Sequence, residues 1–258
     1  RVDEDDQIFC TKKDKKNALI TEIVNVLKTC RPILVGTRSV AESIELSEEL
    51  IKNGIKCSVL NAKNDAYEAD IIANAGKLHA VTISTNMAGR GVDIRLGGKN
   101  ENDKQAVTSL GGLYVIGTNK HESKRIDDQL RGRAARQGDP GSTRYLVSLE
   151  DDLFIRYRLS DLIPPKILST LSSGEIKNPI VKKEVNRVQR IVEGQNYEIK
   201  RTLSRYSYII EQQRKIMYDK RKNYCFNNHS NQYFEKHSSK QYQKLLDNIS
   251  SKELNEVC

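Results

Sequence analysis

Residues Gly112–Glu150 have the sequence GLYVIGTNKHESKRIDDQLRGRAARQGDPGSTRYLVSLE, and this stretch decides the fold of the chain. It opens with the apolar run Gly112–Thr118, which predicts a buried strand. A polar segment with helical spacing, Glu122–Gln137, comes next, and Ser142–Glu150 is a second apolar run. Two strands joined through a helix form the repeating unit of a parallel sheet, so the stretch predicts an α/β fold.

The same alternation of strand and helix fills the residues before this stretch. We predict three more strands, at Pro32–Thr37, Lys56–Asn61 and Ala80–Thr85. Helices are predicted between them, because the sequences SVAE at Ser39 and DAYE at Asp65 place an acid three residues after a capping residue. We therefore expect a parallel sheet covered on both faces, with ligands beyond the carboxyl ends of its strands.

The character of the sequence changes after the last predicted strand. Leu159–Pro179 contains three of the five prolines and predicts a connector. From Val181 to about Tyr224 proline is absent, and apolar residues recur every three, four or seven positions. This predicts one amphipathic helix roughly 65 Å long, whose apolar stripe suits either a coiled-coil seam or docking along a larger body. The stripe consists of Val181, Val185, Val188, Val192, Ile199, Leu203, Tyr206, Ile210 and Met217.

Charge and cysteine content limit the class of protein. The formal net charge is +9, and Lys177–Lys222 alone has thirteen Lys or Arg against five acids. Such a segment indicates an anionic partner (nucleic acid, lipid or an acidic protein surface) or a solvated helix face. The five cysteines form no CxxC pair, and no apolar run approaches the ~20 residues of a membrane span, so we expect a cytoplasmic setting. Because the chain begins with RVDEDDQ rather than Met, we expect it to be a piece of a longer protein.

Three short segments are candidates for chemistry: GTRS (Gly36–Ser39), TNMAGRGVDI (Thr85–Ile94) and QLRGRAARQ (Gln129–Gln137). The first two directly follow predicted strands. Arginine is always charged, and its planar fork matches phosphate oxygens. When a phosphoryl group is transferred, arginines supplied from a second surface commonly stabilise the negative charge. Each segment also has a plain structural interpretation, as a helix cap, a turn and a salt-bridged surface respectively.

Within these segments, particular residues are candidates for ligand contact. Gly89 and Gly91 flank Arg90, so the backbone can approach a ligand closely. Asp93 is a candidate to accept a hydrogen bond from a ribose hydroxyl or to hold an arginine in place. The arginines of the third segment are Arg131, Arg133 and Arg136, and the acids that are candidates to pair with them are Asp127, Asp128 and Asp139.

A phosphate-cradling G-x-x-x-x-G-K-[ST] sequence does not occur in the chain. The acidic run Asp3–Asp6 has no apolar strand before it and is a poor candidate for binding magnesium. The chain therefore offers arginines without a nucleotide cradle, as expected of the second half of a two-part ATP site.

Several segments match one known family. They are RPILVGTRSV, VLNAKN, VTISTNMAGRGVDI, Gly111–Leu153 and VEGQNYEIKRTLSRYSYIIEQQRKIMYDKR, and together they resemble SecA, the motor ATPase of bacterial preprotein export. The resemblance implies ATP or ADP with Mg²⁺ between two RecA-like lobes, held mainly by the first lobe. It implies that residues 1–158 are the second lobe, 159–180 a connector and 181–258 the start of a helical scaffold.

The resemblance also implies roles for single residues. Arg133 and Arg136 would sense ATP and couple its hydrolysis to closure of the lobes, and Arg90 would contact the γ-phosphate region. The other residues that it places near the nucleotide are Gly89, Asp93 and Gln129. The sequence departs from the family at Val92, where Thr is usual, and at Ala134 and Ala135, where Ser-Gly is usual, which favours an accessory SecA paralogue.

The family resemblance implies partners and a location. The partners are a preprotein, the Sec membrane channel and anionic lipids, with no specific nucleic acid, and the location is cytoplasmic and peripheral on the inner face of the cell membrane. The resemblance is compatible with either a monomer or a homodimer. The alternatives are a superfamily-2 nucleic-acid helicase, which predicts steeply salt-dependent binding to single strands, and a scaffold without enzymatic activity.

Overall fold

The computed structural model describes residues 1–60, 65–85, 92–168 and 174–226, and residues 235–236, 238–241 and 243. The chain divides into two compact units, Arg1–Gly194 and Gln195–Cys258.

The first unit is built on a parallel sheet, as the sequence predicts. Within the described residues its strand order is β1-β7-β6-β3-β5-β4, and β2 also pairs with β7. Register is set by pairs such as Ile33 with Val81 and Tyr114 with Ser142. The strands are β1 (Val2–Asp3), β2 (Gln7–Phe9), β3 (Ile33–Thr37), β4 (Ser58–Leu60), β5 (Val81–Thr85), β6 (Leu113–Gly117) and β7 (Gly141–Ser148).

Helices cover both faces of the sheet. Successive residues of a strand point to opposite faces, and in β6 Tyr114 and Ile116 join one core while Leu113 and Val115 join the other. The helices are α1 (Lys12–Leu27), α2 (Val40–Lys52), α3 (Asp65–Asn74), α4 (Lys104–Ser109), α5 (Lys124–Arg131), α6 (Asp152–Arg156), α7 (Leu159–Leu162), α8 (Pro165–Leu168) and α9 (Pro179–Phe226). Among them, α7 and α8 lie inside the segment expected to be a connector.

The elements β1, β2 and α1 are additions to the predicted fold. The side chain of Thr11 caps α1 by accepting a hydrogen bond from the Asp14 amide at 3.0 Å. Leu19 and Ile23, one turn apart, are buried in the core. The first 27 residues therefore belong to the α/β body.

The predicted long helix is confirmed as α9. The Asn178 side chain accepts from the Ile180 amide at 2.9 Å near the start of the helix. The first four residues of the apolar stripe, Val181 to Val192, are buried in a third core with Phe154 and Leu159. Later members of the stripe, such as Ile199 and Ile210, are exposed. Among the described residues, no helix is apolar over enough of its length to cross a bilayer.

Candidate functional site

Arg133 and Arg136 lie on a loop that follows α5, and not on the predicted α-helix. The helix predicted for Glu122–Gln137 is wrong in its second half, because α5 ends at Arg131. Ala135 (φ 57°) and Gln137 (φ 54°) then adopt left-handed backbone conformations, around a short 3₁₀ turn. The chain reverses direction there, so we call residues 132–140 the arginine loop.

The arginine loop lies beside the amino ends of the strands, and not beyond their carboxyl ends as expected. Gly141 is the first residue of β7, and a Cβ added to it would lie 2.8 Å from the amide nitrogen of Ala135. A Cβ on Gly112, just before β6, would clash with the Pro140 carbonyl oxygen. The physical reason is that α5 runs antiparallel to the strands, so a loop after its last turn returns to the strand starts.

The left-handed backbone conformation of Ala135 is expected to lower the stability of the fold, and this can be tested by substitution. Replacing Ala135 with Gly should raise the free energy of unfolding by about 0.5–1 kcal/mol, because glycine removes the steric penalty but loses more backbone entropy on folding. Ala134→Gly is the matched control and should destabilise, since Ala134 is buried and has no positive φ. Urea unfolding of the three proteins measures both effects, and destabilisation by Ala135→Gly would contradict the backbone assignment.

Arg131 makes contacts within the fold and has a structural role. Its guanidinium donates to Asp6 at 2.7 Å and to the Thr143 hydroxyl at 2.5 Å, and it lies 4.7 Å from the centroid of the Tyr145 ring. Lys120 lies 4.4 Å from the centroid of the same ring and also pairs with Asp6, at 2.7 Å. Asp6, in the acidic run near the start of the chain, is thus the counterion of both the buried Lys120 and the partly buried Arg131.

Arg136 forms an ion pair with Asp93. Its Nε donates to the Gly132 carbonyl at 3.0 Å, and Gln137 Nε2 donates to the second Asp93 oxygen at 3.3 Å. Of the two roles expected for Asp93, the structure therefore contains the one in which it holds an arginine. Both residues line a cavity of about 200 Å³, together with Arg95, Lys104 and Asp139.

Arg133 is half-buried and contacts the same segment as Arg136. Its Nη1 donates to the Val92 carbonyl at 3.4 Å. Burial lowers the pKa of Arg133, and the charge of Glu68 opposes this shift. A partly desolvated guanidinium attracts an anion more strongly than one in bulk water does. The pair Arg133 and Arg136 is thus suited to bind phosphate oxygens.

Three predicted site residues remain, and the structure describes one of them. Gln129 is exposed on α5, one turn before Arg133. Gly89 and Arg90 lie outside the described residues. The structure therefore brings together Arg133, Arg136 and Asp93.

Asp127 was expected to pair with an arginine, but the residues that bind it are His121 and Gln189. Asp127 is almost fully buried. Its Oδ1 accepts a hydrogen bond from the His121 backbone amide at 3.1 Å and lies 2.8 Å from His121 Nδ1. Its Oδ2 accepts from Gln189 of α9 at 2.7 Å. Sequence reasoning missed this cluster, because 62 residues separate Asp127 from Gln189.

A larger cavity, of about 550 Å³, lies at the carboxyl ends of β3 and β6. The Nζ of Lys15 is buried there and donates to Asp151 at 2.5 Å, Thr118 O at 3.0 Å and Asn119 at 2.9 Å. Ser39 of the GTRS segment caps α2 by accepting from the Glu42 amide at 3.2 Å. The cap interpretation of GTRS is therefore confirmed.

Family models match the chain over nearly its whole length. The SecA P-loop domain matches residues 1–106 and 99–173, and the SecA Wing and Scaffold domain matches residues 175–257. Protein translocase subunit SecA 2 of Clostridioides difficile (strain 630) is 49% identical over 86% of this chain and 28% of that protein. Protein translocase subunit SecA of Mycobacterium avium (strain 104) is 42% identical over 100% of this chain and 33% of that protein.

A solved structure of the Escherichia coli DEAD-box protein SrmB, bound to regulator of ribonuclease activity A, is also similar. It has a TM-score of 0.48 and 18% identity, and covers 64% of this chain and 88% of that chain. A likeness at this level does not bear on function. The chain spans about a third of the length of the curated relatives it matches. On the family models and these identities, the chain belongs to the SecA family.

Proposed function

We propose that this chain is the second nucleotide-binding lobe and the start of the helical scaffold of an ATP-driven motor that exports preproteins through the Sec channel. The observation that carries the proposal is the placement of two half-buried arginines, Arg133 and Arg136, on one loop beside Asp93. Domain bounds of 1–158, 159–180 and 181–258 remain our assignment.

In this proposal, ATP and Mg²⁺ are held mainly by the first lobe, and the arginine loop completes the site. Arg136 exchanges its contact with Asp93 for phosphate oxygens when the lobes close, and Arg133 stabilises the negative charge that develops during transfer. Arg90 and Gly89 contact the same phosphate region, and Gln129 supports the loop from α5. Mg²⁺ supplies further charge neutralisation at the phosphates.

The proposed setting follows from the family. The motor acts in the cytoplasm and peripherally on the inner face of the cell membrane, with anionic lipids as a further contact. The departures at Val92, Ala134 and Ala135 favour an accessory SecA paralogue. By itself this chain should hydrolyse ATP no faster than a buffer blank, because it lacks the G-x-x-x-x-G-K-[ST] sequence.

Stimulation of hydrolysis distinguishes a protein motor from a nucleic-acid helicase. We expect the full-length protein to hydrolyse ATP several-fold faster with an unfolded preprotein and vesicles that contain the Sec channel. Single-stranded RNA or DNA should leave the rate within experimental error, at low salt where such binding is strongest. Stimulation by nucleic acid and not by preprotein would favour the helicase.

A further inference from the structure

We propose that Gln189 of α9 is a positioning residue for the arginine loop, and that it acts through the buried carboxylate of Asp127 on α5. The proposal rests on the proposed function, because the arginine loop is the part of that site whose position it explains.

The side-chain amide nitrogen of Gln189 makes two hydrogen bonds near the start of α5. Its Nε2 donates both to Asp127 Oδ2, at 2.7 Å, and to the carbonyl of His121, at 3.0 Å. The side chain is buried, so water does not readily replace these bonds. Since the other oxygen of Asp127 is bound by His121, both carboxylate oxygens are held.

A second residue of α9 contacts the same end of α5. Glu193 Oε1 accepts from the Lys124 amide at 2.5 Å. Gln189 and Glu193 are four residues apart, so they lie on one face of the helix in successive turns. The first turn of α5 is therefore tied to α9 at two points, which fix its direction as well as its position.

The far end of α5 leads directly into the arginine loop. In the last turn of α5, Leu130 packs on Gly36 of β3, where an added Cβ would clash with the Leu130 side chain. A short helix held against the sheet at this point can tilt when its first turn is displaced. Motion of α9 would then move Arg133 and Arg136, and closure of the arginines would pull on α9. Misplacement by about 1 Å is enough to cost ~10²-fold in rate at a catalytic site.

The test introduces a repulsive charge and then removes it, in the full-length protein. Gln189→Glu puts a second carboxylate against Asp127. We expect kcat for ATP hydrolysis to fall about tenfold or more, with the KM for ATP changed by less than about threefold, because the arginines act in the transition state. Asp127→Asn combined with Gln189→Glu restores a donor and an acceptor between these two side chains, though not the bond to the His121 carbonyl, and should recover a large part of kcat.

Gln212→Glu is the matched control, with the same charge change at an exposed position of the same helix. It should retain the unsubstituted kcat. Thermal unfolding of each variant shows how much protein is folded at the assay temperature. A loss of kcat in Gln189→Glu no greater than its loss of folded protein would overturn the proposal. Failure of the paired substitution to recover kcat, with the fold intact, would show that the effect does not pass through Asp127.

Arg136→Ala in the same protein separates this inference from the function on which it rests. If Arg136→Ala leaves hydrolysis unchanged, the assignment of the arginine loop is wrong. If Arg136→Ala abolishes hydrolysis while Gln189→Glu matches Gln212→Glu, the site stands and the positioning role of Gln189 is wrong.

Discussion

Arg136→Ala in the full-length protein is expected to lower kcat for ATP hydrolysis by about 10³-fold or more, and Arg133→Ala by a similar order. Each arginine is placed to stabilise charge that is largest in the transition state. The KM for ATP should change far less than kcat, because the first lobe supplies most of the binding. Steady-state hydrolysis over a range of ATP concentrations measures both constants.

The control for this prediction is Arg125→Ala, which removes an exposed cation from α5, the helix that precedes the arginine loop. It should hydrolyse ATP at nearly the unsubstituted rate. Arg136→Lys keeps the charge but loses the planar guanidinium, so its kcat should lie between those of Arg125→Ala and Arg136→Ala. Near-normal turnover in both Arg133→Ala and Arg136→Ala would contradict the proposed role of the loop.

Lys15→Met is expected to lower the free energy of unfolding by about 3–5 kcal/mol, because it leaves the buried carboxylate of Asp151 without its cation. Burial already raises the pKa of Asp151, and the Lys15 ammonium opposes this rise without cancelling it. Removing the ammonium should raise that pKa further. Urea unfolding followed by circular dichroism measures the loss.

The pH dependence and a double variant check the cause of this loss. The pKa of Asp151 is raised in the folded state, so on acidification Asp151 is protonated in the folded protein before it is in the unfolded chain. The unpaired charge in Lys15→Met therefore destabilises the protein fully only at pH values above the folded-state pKa. The deficit of Lys15→Met should therefore be largest at neutral pH and shrink on acidification. Lys15→Met with Asp151→Asn should recover most of the stability, since Asn can still accept from the Ser148 amide. A deficit that does not change with pH would point to lost packing.

The core of the fold was predictable from local patterns. The strands β3, β5 and β6 are short apolar runs between turn signals, and their observed bounds agree with the predicted ones within two residues. The long helix α9 is equally clear, because its period persists over many turns. The elements β1, β2 and α1 were not predicted, since two of them are very short strands and α1 opens with the polar sequence KKDKKN.

The site was predictable only in part. Arg133, Arg136 and Asp93 stand out by residue type, and the structure brings them together. No local pattern shows that Ala135 adopts a left-handed conformation after α5 has ended, because this conformation accompanies close packing of the loop against Gly141 at the start of β7. Nor does spacing reveal that Arg131 pairs with Asp6, since these residues are 125 positions apart.

The shared counterion of Arg131 and Lys120 has a consequence for anyone who shortens this protein. Asp6 comes before every element that the sequence predicts, so a fragment cut at the first obvious strand would discard it. Such a fragment would keep both cations stacked on Tyr145 but lose the carboxylate that joins them. A fragment of this lobe for recombinant work should therefore begin upstream of Asp6, although no element predicted from the sequence lies there.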